Sequence, residues 1–290
     1  HNRTRRQRQM CIRDRCMDIK AFKMDGLGND FVIIDQRSQN YNLTKDQIIK
    51  ICDRNFIGCD QLIFIQKSDE KDARLEFYNS DGSKSGACGN GTRCVADLLS
   101  KENGNKEIIL WTSSGALKSQ ILDNNLVETE IGIAKTNWNE IPLNKNLDTK
   151  NLNIKIVNKN NIEHIGGTSV NVGNPHVVFF VDNIEDYDLK KIGPEIENHN
   201  YFPEKCNVTL AKVISKTLIK VKVWERGAGL TKACGTAACA TAVASNINGL
   251  TDKKTNIEFA LGKLSITINE NNSIHMKGPV SDITNIEINI

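Results

Sequence analysis

Internal duplication is the feature that most constrains this chain, and such a repeat has to be recognised before any local element is assigned. Ala87-Cys88-Gly89, between an apolar strand pattern and a helix-like run, recurs as Ala233-Cys234-Gly235, with the cysteines 146 positions apart. Gly28-Asn29 opens GNDFVIID and Gly173-Asn174 opens GNPHVVFFVD, 145 positions later. Behind each cysteine segment comes a third match: Gly115-Ala116-Leu117 and Gly262-Lys263-Leu264, 147 positions apart. Three matches in one order at a nearly fixed offset predict one α/β unit used twice.

A chain of 290 residues accommodates two domains with a core each. The repeat places the division near 132–142, and 132–159, rich in Asn, Lys and Thr and containing Pro142, reads as the crossing between the halves. The expected domains are 17–133 together with 277–290, and 134–276. Residues 1–16 hold six arginines and one aspartate without periodicity or an apolar signal core, and are expected to be a non-native or disordered leader. An Arg-rich transit peptide is the competing reading. Without that segment the formal charge of +3 vanishes and the body is close to neutral, so neither a nucleic-acid footprint nor a nucleic-acid partner is expected. No apolar run approaches the roughly 20 residues of a membrane span, which predicts a soluble protein without a membrane partner. The nine cysteines are odd in number and lack C-x-x-C spacing, arguing against a zinc ribbon or disulfide framework and for a reducing, cytoplasmic setting.

Along the chain, a Gly-rich turn at 26–28 separates two short strands, and Thr44 caps a helix whose stripe is Ile48, Ile49 and Cys52. Strands follow near 62–65 and 75–78, then a turn at 79–82 and a helix over 92–99. Asp123-Asn124-Asn125 reads as a hairpin turn. The second half repeats this order, and 283–290 is expected to pair back with the first half.

A free thiol has a pKa of about 8.5, and the partial positive charge of a helix N-terminus lowers it. Cys88 and Cys234 each stand at that place, each followed by glycine, where the same N–H groups form a carboxylate cradle. Related by an approximate two-fold, the two thiols would flank one carbon: a thiolate removes a proton from one face and a thiol delivers one to the other. Core packing explains one such cysteine more easily than two in matching loops. Metal binding would need further ligands, and the five histidines are scattered. A thiol–disulfide switch between the pair stays open.

GLGNDF at 26–31, YNSDGS at 78–83, ACGNGTRC at 87–94, GNPH at 173–176 and WERGAGLTKACGTAAC at 224–239 resemble the diaminopimelate epimerase family over nearly the whole body. That resemblance implies two pseudo-symmetric α/β domains, each a curled, mostly antiparallel sheet around a central helix, commonly paired as homodimers. It implies interconversion of LL- and meso-2,6-diaminoheptanedioate in lysine biosynthesis with no cofactor, neither pyridoxal phosphate nor metal. Cys88 and Cys234 match the acid–base cysteines, and Gly89-Asn90 and Gly235-Thr236 the donors to the reacting carboxylate. Asn29, Gln61, Asn79, Asn174, Asn207, Glu225 and Arg226 fall on substrate-contact positions, where Arg226 suits a distal carboxylate and Glu225 an ammonium. His176 and Glu225 match positions thought to tune the thiols. Cys206 before Asn207, and Thr236 where serine also occurs, are small departures that leave the mechanism untouched. A proline racemase-like isomerase is the nearest rival, disfavoured by Glu225 and Arg226, and a non-catalytic thiol-binding or redox-sensing protein is the rival from another class.

Overall fold

The computed structural model describes residues 18–290 except Ala87, Ser114 and Asn124. The expected leader at 1–16, the alanine before Cys88 and the middle of the 123–125 turn lie outside the described residues. The first half runs β1 (Asp18–Gly26), β2 (Asn29–Asp35), α1 (Lys45–Cys52), β3 (Gln61–Gln66), β4 (Ala73–Asn79), β5 (Lys84–Ser85), α2 (Gly89–Asn103), β6 (Glu107–Thr112), β7 (Gly115–Ile121) and β8 (Leu126–Ile133). β9 (Ile154–Val157) and β10 (Glu163–Gly166) pair with each other as a separate ribbon. The second half then repeats the order as β11 (Thr168–Asn171), β12 (Pro175–Phe180), α3 (Leu189–Glu197), β13 (Asn207–Ser215), β14 (Leu218–Glu225), β15 (Gly229–Thr231), α4 (Gly235–Ile247), β16 (Lys254–Phe259), β17 (Gly262–Ile268) and β18 (Ser273–Pro279). A final strand, β19 (Thr284–Asn289), closes the chain.

Pairing repeats along with order. β2 runs parallel to β3 and β4 to β6, as β12 does to β13 and β14 to β16. The other strand pairs are antiparallel, as between β6 and β7 or β16 and β17. Each sheet wraps a helix: α2 touches β1, β2, β6, β7 and β8, and α4 touches β11, β12, β13, β16, β17 and β18. The structure is thus two repeated domains, each a mostly antiparallel sheet around a central helix.

The strands that carry the site are covered on both faces, which is why they read as unbroken apolar runs. In β2, Phe31 and Ile33 pack toward Cys94, Val95 and Leu98 of α2, while Val32 and Ile34 face Ile48 and Ile51 of α1. α1 has a capping box in which Thr44 accepts from the Gln47 N–H and the Gln47 side chain accepts from the Thr44 N–H. α4 is surrounded instead by Val170, Ile257, Leu264 and Met276, and its run of alanines, good helix formers, lets the sheet close tightly on it.

Several details depart from the sequence reading. In α1 the buried stripe is Ile48, Ile51 and Cys52, with Ile49 exposed because it lies on the outer side of the helix, and the helix expected over 92–99 is longer, Gly89–Asn103. The stretch at 132–159 is more than a connection, since Ile141, Leu143, Leu152, Ile154 and Ile156 are buried against α3 and β13. The turn expected at 26–28 is tighter: Gly26 pairs with Asn29 inside the hairpin, leaving Leu27 (φ 60°) and Gly28 (φ 77°) as its two residues. Two positive φ values give the primed turn that matches strand twist, and the hairpin starts β2 at Asn29. The halves are stitched by β8 with β18, where Thr129 faces Met276, and the chain then returns to the first half as β19 alongside β1, where Asp18 faces Asn289.

Candidate active site

Both cysteines are helix N-caps in the same extended backbone conformation, φ −138° and ψ 113° at Cys88, φ −138° and ψ 118° at Cys234. The helices approach end to end because glycine follows each cap. A Cβ on Gly89 would lie 2.5 Å from Met276 Cε, and one on Gly235 would lie 3.0 Å from Met276 Sδ and 3.2 Å from Asn90 Oδ1. One methionine of β18 therefore forms the floor beneath both N-termini, and both caps open into a single cavity of about 710 Å³.

Strand ends supply the walls in matched pairs. Asn29 begins β2 and Asn174 precedes β12; Gln61 begins β3 and Asn207 begins β13; Asn79 ends β4 and Glu225 ends β14. All six line the cavity, as do Gly89, Asn90, Arg226, Gly235 and Thr236. Gln61 donates to Asn79 Oδ1 at 2.9 Å, while Gln61 Oε1 has no partner among the described residues and is left as an acceptor. Asn207 Oδ1 accepts the Arg226 N–H at 3.0 Å, and the Arg226 guanidinium donates to the Glu204 carbonyl at 2.8 Å.

His176 is the one expected site residue that does not line the cavity. It is fully buried behind it, with Nε2 2.8 Å from Asn174 Oδ1 and 3.5 Å from Asn207 Nδ2. Burial, then the Arg226 charge, lowers its pKa to about 3, so the ring is neutral; Nε2–H donates to Asn174 Oδ1, and Asn207 Nδ2 donates to the Pro175 carbonyl at 2.9 Å.

The two sulfurs differ in their neighbours. Cys234 Sγ accepts from the Ala237 N–H at 3.4 Å and lies 3.4 Å from Thr236 Oγ1, whereas the Cys88 thiol donates to Asn29 Oδ1 at 3.7 Å. The helix ends were expected to lower both thiols, and the structure reverses that sign. Burial raises Cys88 to about 11, eased by the Gly91 and Asn90 N–H groups and by Arg93 but reinforced by the charge of Glu225. Burial and then Glu225 also push Cys234 well above the ordinary thiol range, with Thr236 and the Ala237 N–H opposing them. Glu225 itself is raised by burial and eased by hydrogen bonds from Thr231 and Cys234.

Four supporting residues were not singled out from the sequence. Asp60 Oδ2 accepts from Asn29 Nδ2 and from the Asp30 N–H, both at 3.1 Å, and Arg54 clamps Asp30 and Asp60 together. Thr231 holds the Glu225 carboxylate, and Arg93 donates to Asn90 Oδ1 at 3.0 Å. Adjacency to Gln61 was a signal for Asp60, and membership of ACGNGTRC one for Arg93.

A family profile for diaminopimelate epimerase matches residues 21–136 and 168–283, each stretch containing one cysteine cap. The chain belongs to the diaminopimelate epimerase family. A diaminopimelate epimerase from Pelagibacter ubique (strain HTCC1062) is 76% identical over 274 residues, covering 94% of this chain and all of that relative. The diaminopimelate epimerase of Acidiphilium cryptum (strain JF-5) is 40% identical over 260 residues, 89% of this chain and 92% of its own. A crystal structure of a phenazine biosynthesis protein of the PhzF family from Bacillus anthracis superposes with a TM-score of 0.66 at 15% identity, covering 94% of this chain and 100% of that one. At that identity the likeness establishes the shared fold, and the epimerase family rests on the sequence matches.

Proposed function

We propose that the protein interconverts LL- and meso-2,6-diaminoheptanedioate by two-base proton transfer between Cys88 and Cys234. The observation that carries this reading is the pair of equivalent helix N-caps opening into one cavity. The N–H groups at Gly89-Asn90 and Gly235-Thr236 receive the carboxylate of the reacting carbon and stabilise the charge that spreads into it once the α-proton leaves. One sulfur, as thiolate, takes that proton, and the other, as thiol, returns one to the opposite face. The roles exchange in the reverse direction.

Glu225 makes thiolate formation depend on substrate. Its negative charge raises both thiols in the free enzyme. A substrate ammonium paired with Glu225 offsets that charge, so the sulfur becomes a base where there is a carbon acid to meet it. Asn29, Gln61, Asn79, Asn174 and Asn207 serve the remaining polar groups of a zwitterion, and Arg226 takes the distal carboxylate, selecting against amino acids with one charged end. His176, neutral and buried, orients Asn174 by donating its Nε2–H to the amide oxygen.

The same reading divides the chain into 17–133 with 277–290, and 134–276. It places the protein in the cytoplasm as a homodimer acting in lysine biosynthesis. Among the described residues no helix is long and apolar enough to cross a membrane, and light scattering on the purified protein tests the dimer. The function is tested by incubating residues 17–290 with the LL isomer under reducing conditions and following the meso isomer by chiral chromatography. Conversion to an equilibrium mixture is expected, and no conversion by the folded, reduced protein refutes the proposal.

A further inference from the structure

Arg93 lies in the second turn of α2 and is completely buried. Space for it exists because two neighbours are glycine: a Cβ at Gly26 would stand 3.3 Å from Nη2, and one at Gly278 3.2 Å from Cζ and Nη2. Its Nη2 donates to Asn90 Oδ1, whereas Nε and Nη1 have no partner among the described residues. The titratable groups acting on it are the thiols of Cys88 and Cys94 on its own helix and of Cys239 on α4, with no carboxylate among them. A guanidinium does not give up its proton in a protein, and an uncompensated buried cation carries a large desolvation penalty. A purely structural role would be met more cheaply by an apolar side chain.

The hydrogen bonds leading away from Arg93 all run one way. Arg93 Nη2 donates to Asn90 Oδ1, Asn90 Nδ2 to Asn29 Oδ1 at 3.3 Å, and Asn29 Nδ2 to Asp60 Oδ2. With a cation at one end and a carboxylate at the other, both amides have one orientation, and Asn29 Oδ1 is the oxygen that meets the Cys88 thiol. The second half lacks this device: at the repeat offset of 146, Thr236 stands for Asn90 and Cys239 for Arg93.

We propose that Arg93 is a positioning residue for the Cys88 half of the site, fixing Asn90 and Asn29 through this directed chain and supplying a permanent positive charge that favours anions at the α2 N-terminus. The proposal deepens the two-thiol reading and rests on it for its place in catalysis. It makes the two bases inequivalent. The charge of Glu225 on β14 acts on Cys88 with the opposite sign, so removing Arg93 takes away a side-chain charge that offsets that carboxylate.

The test is substrate-free alkylation by iodoacetamide at pH 9, read separately for each cysteine by peptide mass spectrometry, because alkylation follows the thiolate fraction. Arg93→Met should slow alkylation of Cys88 about tenfold, the equivalent of one pKa unit, leave Cys234 within about twofold, and lower kcat with little change in KM. Arg93→Lys, which keeps the charge, should hold Cys88 within about threefold of the parent. If Arg93→Met does not fold, Arg93→Gln takes its place, and the Cys88-to-Cys234 ratio must fall with Gln and hold with Lys. Unchanged ratios in the folded neutral variants, or equal slowing at both cysteines, would overturn the proposal. Alkylation needs no diaminopimelate, so a parent protein inactive toward that substrate would remove the functional reading and leave this comparison intact.

Discussion

Cys88 and Cys234 share a backbone conformation and differ in what surrounds the sulfur, and that difference makes each separately testable. Replacing either by serine, whose hydroxyl is a far weaker acid, should cut LL-to-meso conversion by about 10²–10⁴-fold, the usual worth of a positioned acid–base group, with the melting temperature little changed. Glu225→Gln should have a split effect. Conversion falls, while Cys234 alkylation in the free enzyme speeds up because the carboxylate that raises the thiol is gone; slower alkylation would contradict the assigned electrostatics. His176 gives a stability prediction. Its folded pKa of about 3 lies below the unfolded value of 6.5, so only the unfolded chain takes up this proton as pH falls through that window. Stability from this group is complete above about pH 6.5 and declines below it, and His176→Gln should flatten the fall in melting temperature between pH 7 and pH 4. The cysteines could be read from sequence because the repeat singled them out from seven others. The burial of Arg93 and the sign of the thiol shifts could not, since an arginine in a helix pattern ordinarily faces solvent and burial is a property of the assembled sheet.

At the scale of elements, the site depends on α2 sitting deep in its sheet, and Gly91 is what permits that depth. An alanine Cβ there would lie 2.7 Å from Ile63 Cδ1, 3.0 Å from Phe77 Cε1 and 3.3 Å from Phe31 Cε1. Three strands would have to yield together. Gly91→Ala should therefore destabilise by about 1–3 kcal/mol despite alanine's better helix propensity, and a raised melting temperature would show that the contact is slack. The existence of α2 and α4 was readable because glycine-rich loops gave way to helical spacing, but the expected start at 92 falls inside α2, which begins at Gly89 because the glycines themselves are helical. Gly26 was misread as turn when it is strand, because the reason for its missing side chain is Arg93, 67 positions away in the chain. The burial of 141–156 was missed for a related reason: apolar residues among Asn and Lys show no regular period until a neighbouring helix gives them a surface.

For the whole molecule, duplication explains how two sulfurs come to face one volume. Two copies of a helix-in-sheet unit, joined through β8 with β18 and resting on Met276, bring their helix N-termini together. A fragment spanning 17–133 loses β18 and β19 as partners of β8 and β1. It should aggregate through those open edges without a cooperative unfolding transition, whereas a monomeric fragment that melts cooperatively would show that each half stands alone. The most direct test of the two-sulfur chemistry is deuterium uptake by diaminopimelate in D₂O. The parent protein is predicted to incorporate solvent deuterium at the inverted α-carbon, and a folded Cys88→Ser, Cys234→Ser double variant to incorporate none; continued uptake by that double variant would mean that another base does the work.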